Sequence, residues 1–251
     1  MTSQGRRPTA FDEEAARRGV HLNVDFNKAR RVDVAGSRDL SPMVMEKTGR
    51  PKIMPASFYR ETTLSERLLL CQRNAIYCLP TVELIDWLRT FINGRRAIEI
   101  GAGNGAISAA LRLRATDNRM QEHPDVIEKY ASMGQPVISY GRQVEAIEAN
   151  AAVRKYKPEV VVAAWVTHRF RPDRAAAGGN AFGVDEEDII ANCDAYVFVG
   201  NHGVHEGKSI WSLPHTIIEP DFLFSRSSSG KPDFIAVWER AKIWKDGRRD
   251  A

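Results

Sequence analysis

Between Arg96 and Ser108 the chain reads Arg-Ala-Ile-Glu-Ile-Gly-Ala-Gly-Asn-Gly-Ala-Ile-Ser. A short apolar strand ends in an acid, passes a glycine-spaced turn and enters an alanine-rich apolar helix. Gly101, Gly103 and Gly105 let the backbone turn sharply and let a ligand approach without Cβ atoms in the way. The following helix directs its unpaired N–H groups at that ligand. Glu99, at the strand's carboxyl end, is placed to meet a cationic amine or a hydroxyl. The expected ligand is nucleoside-like and partly positive.

The surrounding pattern alternates. Strands are expected at 96–100, 113–117 and 136–140, and over the continuous apolar runs at 160–166 and 195–199, which suit strands buried on both faces. Helices are expected at 106–112, 124–133, 144–156 and 185–192. Upstream, Thr63-Leu-Ser-Glu66 has capping-box spacing, and Thr81 leads a second amphipathic helix that Asn93-Gly94 ends. Downstream, 216–224 and 233–238 are joined by Ser-Arg-Ser-Ser-Ser-Gly-Lys-Pro, a loop suited to a hairpin. The fold class is α/β: a doubly wound, mainly parallel seven-stranded sheet with a closing antiparallel hairpin.

Two cofactor classes fit the turn. Gly101-x-Gly103-x-x-Ala106 satisfies the relaxed dinucleotide fingerprint. The acids separate the two. A pyrophosphate is repelled by a carboxylate two residues before the first glycine, whereas the α-ammonium of S-adenosylmethionine is attracted by one. Asp117, followed by Asn118, ends the second strand and can accept hydrogen bonds from ribose hydroxyls in either case.

In these residues the chain resembles the class I S-adenosylmethionine-dependent methyltransferases. Glu99-Ile-Gly-Ala-Gly-Asn-Gly105 is similar to that family's first motif, and Asp117 sits where its ribose-binding acid belongs. The resemblance implies a Rossmann-like methyltransferase fold, S-adenosyl-L-methionine as cofactor, and transfer of a methyl group. It implies that Gly101, Gly103 and Gly105 border the methionine part, that Glu99 contacts the amino-acid end, and that Asp117, with Asn118 beside it, holds the ribose. The closing hairpin and the helices before the first strand belong to that family rather than to a nicotinamide-dependent oxidoreductase, the alternative enzyme. A third alternative is a non-catalytic binding or scaffold subunit on the same fold.

Methyl transfer needs a nucleophile aligned with the donor methyl, water excluded and, where a proton leaves, a base. Such groups gather beyond the strands' carboxyl ends. After the fourth strand, His168 is the candidate base, Trp165 the candidate wall beside the methyl, and Thr167 a substrate contact. After the fifth, Asn201 and His202 are further substrate contacts. His202-x-x-His205 with Glu206 lacks the helical geometry of zinc-protease motifs and has no cysteine nearby, so no metal is expected. The small residues from Ala175 to Gly183 suit a lid, and Tyr59 and Arg60 a roof over the cofactor. Gln143, after the expected third strand, is the polar substitute for the adenine-side acid.

The family's Asn-Pro-Pro-Tyr and Pro-Cys signatures of base methylation are absent. Charge points the same way. Residues 1–55 carry 11 Lys/Arg against 7 Asp/Glu, and residues 241–251 carry 4 against 2, leaving 21 against 23 on residues 56–240. The catalytic region thus has no footprint for a polyanion, which favours a small-molecule acceptor. A nucleic-acid or protein partner would act through the basic residues 1–55, expected to be an extended or disordered arm, and 241–251 form a basic tail. No stretch approaches the roughly 20 apolar residues of a membrane span. With no secretory signal pattern and three scattered cysteines, Cys71, Cys78 and Cys193, a cytoplasmic setting is expected.

Overall fold

The computed structural model describes residues 34–240. The expected arm over residues 1–33 and the basic tail over 241–251 lie outside them. In chain order the described strands are β1 Cys78–Leu79, β2 Ala97–Ile100, β3 Arg114–Asp117, β4 Val144–Ala146, β5 Val160–Ala164, β6 Ala195–Asn201, β7 Thr216–Ile218, β8 Phe224–Ser225 and β9 Asp233–Glu239.

Seven strands form one sheet in the order β4-β3-β2-β5-β6-β9-β7. From β4 to β6 all neighbours are parallel, and β9 runs antiparallel to both β6 and β7. The chain starts at β2, winds outward through β3 and β4, then returns to build β5 on the other side. The strand order therefore reverses between β2 and β5, and their carboxyl ends open a crevice there.

The apolar run of β5 shows why the sheet is covered twice. Val161 and Ala163 face a core with Ile98, Ile100, Tyr196, Phe198 and Trp238, under the helices Ala149–Tyr156 and Glu186–Ala191. Val160 and Val162 face the opposite core with Val197, Val199, Leu84, Leu88 and Ile107. Alternate side chains point to opposite faces, so a strand buried on both must be apolar throughout.

Four expectations are corrected. The third strand is Val144–Ala146, not 136–140: Ala115 pairs with Val144, whereas the Pro136 segment crosses the crevice with Ile138 N–H donated to Gln121 Oε1 at 2.8 Å. The helix expected from 144 therefore starts only at Ala149. The closing pair forms as expected, between β7 and β9 with Ile218 opposite Ile235, but its first strand ends at Ile218 rather than at 224. Phe224–Ser225 leaves that sheet to pair with β1, because Pro220 cannot continue the β7 ladder. Finally, Leu40 and Val44 are fully buried against Tyr59, Leu70 and Leu79, so from Leu40 the chain packs on the domain rather than extending as an arm to 55.

The helix starts form as their caps require. Thr63 Oγ1 accepts Glu66 N–H at 3.2 Å while Glu66 Oε2 accepts Thr63 N–H at 2.8 Å. Thr81 Oγ1 caps Val82–Ile92, which Asn93 ends at φ +46°. No helix among the described residues is long and apolar enough to cross a membrane.

Candidate functional site

A cavity of about 220 Å³ opens at the β2–β5 reversal. Its floor is the glycine turn. Glu99 is 3% exposed, lines the cavity and accepts Ser108 N–H on Oε2 at 2.8 Å, which ties the strand end to the helix Ala106–Leu111. Burial pushes its carboxyl up to about 7, against the partial relief of the Ser108 bond.

Gly101 holds φ +58°, and a Cβ there would sit 2.4 Å from Val166 Cγ1. The close approach lets the ends of β2 and β5 share one crevice. Gly101→Ala is expected to cost about 2–4 kcal/mol, from left-handed strain plus overpacking against a stiff β-branched neighbour. A thermal scan with an unchanged midpoint would remove that contact from the account.

Asp117, from the end of β3, lines the same cavity. Its Oδ2 accepts Gly103 N–H at 3.0 Å and its Oδ1 accepts Arg119 N–H at 2.8 Å. Burial raises its carboxyl above the ordinary value, and these two amides oppose the rise. Each oxygen keeps a lone pair for a ligand hydroxyl. Asn118 borders the cavity too, but its Nδ2 donates to Phe182 O at 2.9 Å and its Oδ1 accepts Met120 N–H at 3.1 Å. Gly105 lies off the wall: a Cβ there would meet Gln143 Nε2 at 2.5 Å and Val144 Cγ2 at 3.0 Å, so this glycine makes room for β4.

The corrected third strand changes the acid on its side. Gln143 precedes β4 and bonds Gly105 O at 3.3 Å, away from the cavity. Glu148, just past β4, is on the wall and paired with Arg169. A three-residue strand carries too little alternation for the sequence to have located it.

The tyrosine-lined side of the cavity was equally hidden. Gln121 Nε2 reaches Tyr77 Oη at 3.2 Å and Tyr130 Oη at 3.4 Å, while Gln121 N–H donates to Tyr140 Oη at 3.3 Å. All four line the cavity, and burial lifts the Tyr130 and Tyr140 phenols above their ordinary range, so both stay neutral. Nothing local in the sequence signals this meeting of three distant segments.

After β5, Trp165 adopts φ +61°, lies edge-on to His205 at 5.1 Å between ring centroids, and buries an indole Nε1 that has no hydrogen-bond partner among the described residues. Trp165 and Thr167 line the cavity; His168 does not. The chain at 168–169 is bridged to 180–184, and in such extended backbone neighbouring side chains alternate. Thr167 therefore faces in and His168 behind the wall, where burial first and Lys208 second pull its imidazole below the ordinary value. Asn180, Phe182 and Gly183 of the small-residue stretch border the cavity.

Asn201 and His202 are not on this wall either. Asn201 is 1% exposed and ties the end of β6 to the 227–233 loop, and His202 Nε2 meets Glu219 at 2.7 Å. Tyr59 is buried in the upstream core, and Arg60 pairs with Asp221 at 2.8 Å. Cys71 and Cys193 are buried free thiols, each pushed up to about 12 by burial.

No family model and no curated protein matches the chain. Solved structures similar to it include a Pyrococcus abyssi tRNA (uracil-54, C5)-methyltransferase bound to S-adenosyl-L-homocysteine, at 12% identity and TM-score 0.34 over 62% of this chain and 37% of that one. A Streptococcus thermophilus rRNA methylase matches at 12% identity and TM-score 0.35, over 62% of this chain and 93% of that one. A Bacillus cereus O-methyltransferase bound to the same product matches at 13% and 0.35, over 64% and 82%. Identities this low leave the functional reading to the residues of this chain.

Proposed function

We propose that this protein is a methyltransferase that uses S-adenosyl-L-methionine to methylate a small-molecule acceptor. The observation that carries the reading is the pair of buried carboxylates, Glu99 and Asp117, at the ends of adjacent strands around one glycine turn and one cavity. A ligand there must bring a positive group to Glu99 and donors to Asp117. The ammonium and ribose of S-adenosyl-L-methionine do both, and a dinucleotide pyrophosphate beside Glu99 does not.

When bound, that cofactor supplies a methyl group on a sulfonium, already activated for displacement. The chain's own part is alignment and the exclusion of water. Glu99 holds the ammonium. Asp117 accepts from the ribose hydroxyls, and Glu148 closes the far end. Trp165, Tyr77 and Tyr130 present ring surface for the acceptor, and Thr167 adds a hydroxyl at its rim. With His168 behind the wall and the Tyr130 and Tyr140 phenols neutral, the acceptor brings its own nucleophilicity, as an amine, a thiolate or an acidic hydroxyl does. The slight acidic excess of residues 56–240 supports a small acceptor over a polyanion.

Asp117→Ala is expected to weaken binding of S-adenosyl-L-homocysteine by about 1.5–3 kcal/mol through lost charge-assisted hydrogen bonds. Calorimetric titration of the folded variant reads it. Unchanged affinity would take Asp117 out of the site and remove the main support for this function.

A further inference from the structure

Trp165 is a wall shared by two hollows. Behind it from the donor cavity lies an open depression lined by Arg226, Ser227, Ser228, Ser229 and Lys231. These residues come from the loop between β8 and β9, which the sequence offered only as a hairpin connection.

The depression gathers hydrogen-bond donors and positive charge. Arg226 is half-buried, with its guanidinium 4.5 Å over the Tyr77 ring and one long bond to Gln135 Oε1 at 3.4 Å. Among the described residues no carboxylate lies within 4.0 Å of it. Ser227 Oγ and Ser229 Oγ both donate to the buried Asn201 Oδ1, at 3.0 and 2.9 Å, so the loop is anchored from beneath. The hydroxyl and amide of Ser228 make no hydrogen bond among the described residues. Lys231 pairs with Glu206 at 3.0 Å, but both are well exposed, and such a pair exchanges partners at little cost. The indole Nε1 of Trp165 is buried without a partner among the described residues.

A stacked guanidinium, an exposed ammonium and an unpaired hydroxyl match a tetrahedral oxyanion. We infer that this depression binds the phosphate group of a small acceptor, whose reacting atom reaches past Trp165 into the donor cavity. The phosphate is a handle and takes no part in bond making. The inference rests on the methyltransferase reading for the word acceptor, and on Arg226 and its loop for the anion. A single anion pocket on a domain region of 21 basic and 23 acidic groups suits one phosphate rather than a polymer.

The test is a titration of the ¹⁵N-labelled full chain with inorganic phosphate, succinate and a short single-stranded oligonucleotide. It is read at the Trp165 indole N–H, assigned through Trp165→Phe. The expected result is a saturable shift with phosphate that is about tenfold or more weaker in Arg226→Gln. It should also weaken in Lys231→Gln, an exposed position where loss of fold is not at issue. No saturable shift, or equal affinity in both variants, overturns the inference. Succinate binding as tightly as phosphate overturns the phosphate assignment. Oligonucleotide binding that is tighter than phosphate and steeply salt-dependent overturns the small acceptor. S-adenosyl-L-homocysteine is titrated separately into wild type, where the donor bonds are made elsewhere. If that ligand fails to bind while phosphate does, the methyltransferase reading falls and the anion pocket stands; the reverse result removes the anion pocket alone.

Discussion

Glu99→Gln should stabilise the ligand-free protein above neutral pH and, in the same molecule, cripple its binding of S-adenosyl-L-homocysteine. Burial raises the folded-state carboxyl from an ordinary 4.5 to about 7. The native protein thus keeps a proton that the unfolded chain gives up. The stabilisation linked to that proton is complete below about pH 4.5 and is lost as pH rises through about 7. Above that, the native state carries a desolvated carboxylate at a cost of about 3 kcal/mol. Glutamine keeps the Ser108 hydrogen bond and never ionises, so urea unfolding at pH 8 should show a gain of that order, with little gain at pH 4. The ligand's ammonium then meets an amide instead of a charge, and affinity should fall about tenfold or more. In the wild type, affinity should rise as pH passes upward through 7, because an ammonium favours ionised Glu99; a pyrophosphate ligand would give the opposite slope. A less stable Glu99→Gln at pH 8 would contradict the raised carboxyl, and one that binds as well as wild type would take Glu99 out of the ligand's reach.

Lys208→Met should be the most destabilising single change discussed here, at about 3–5 kcal/mol. Lys208 is fully buried. Its ammonium lies 2.5 Å from Glu186 Oε2, 2.9 Å from the Val166 carbonyl and 4.3 Å above the Phe198 ring. Glu186 in turn accepts the Tyr196 hydroxyl at 2.7 Å. Burial pulls the Lys208 amine below its ordinary value, and Glu186 holds it up. Methionine fills the space but leaves Glu186 buried without its counter-charge. The double change Lys208→Met with Glu186→Gln should therefore recover more than half of the loss. Because Val166 is the neighbour that Gly101 nearly touches, Lys208→Met should also loosen the β2–β5 crevice and weaken ligand binding. Denaturant unfolding of the three variants measures the coupling. A loss under about 1 kcal/mol, typical of an exposed pair, would contradict it.

The parts of this molecule that local chemistry dictates were legible in the sequence. Glu99, Gly101 and Gly103 could be placed because a strand end, a sharp turn and a helix start leave few alternatives over so few residues. The runs that became β5 and β6 were legible because only strands buried on both faces are apolar throughout. What was hidden is tertiary. Val144–Ala146 is too short to show a period, so the sequence points to 136–140 for the third strand and to Gln143 after it, whereas Glu148 is the residue beyond β4 that lines the cavity. His168 and Thr167 are adjacent, and only the bridge to 180–184 decides that Thr167 faces the cavity. Nothing local in the sequence marks Lys208 and Glu186 as a pair, and the fold buries them together. Tyr77, Gln121 and Tyr130 meet only in space.

The central claim, that the two buried carboxylates hold S-adenosyl-L-methionine, is tested most directly by calorimetric titration of the full chain with S-adenosyl-L-methionine, S-adenosyl-L-homocysteine and NAD in parallel. Micromolar binding of the first two, with no heat from NAD, is the expected result. Binding of NAD alone, or of none of the three, would contradict the claim.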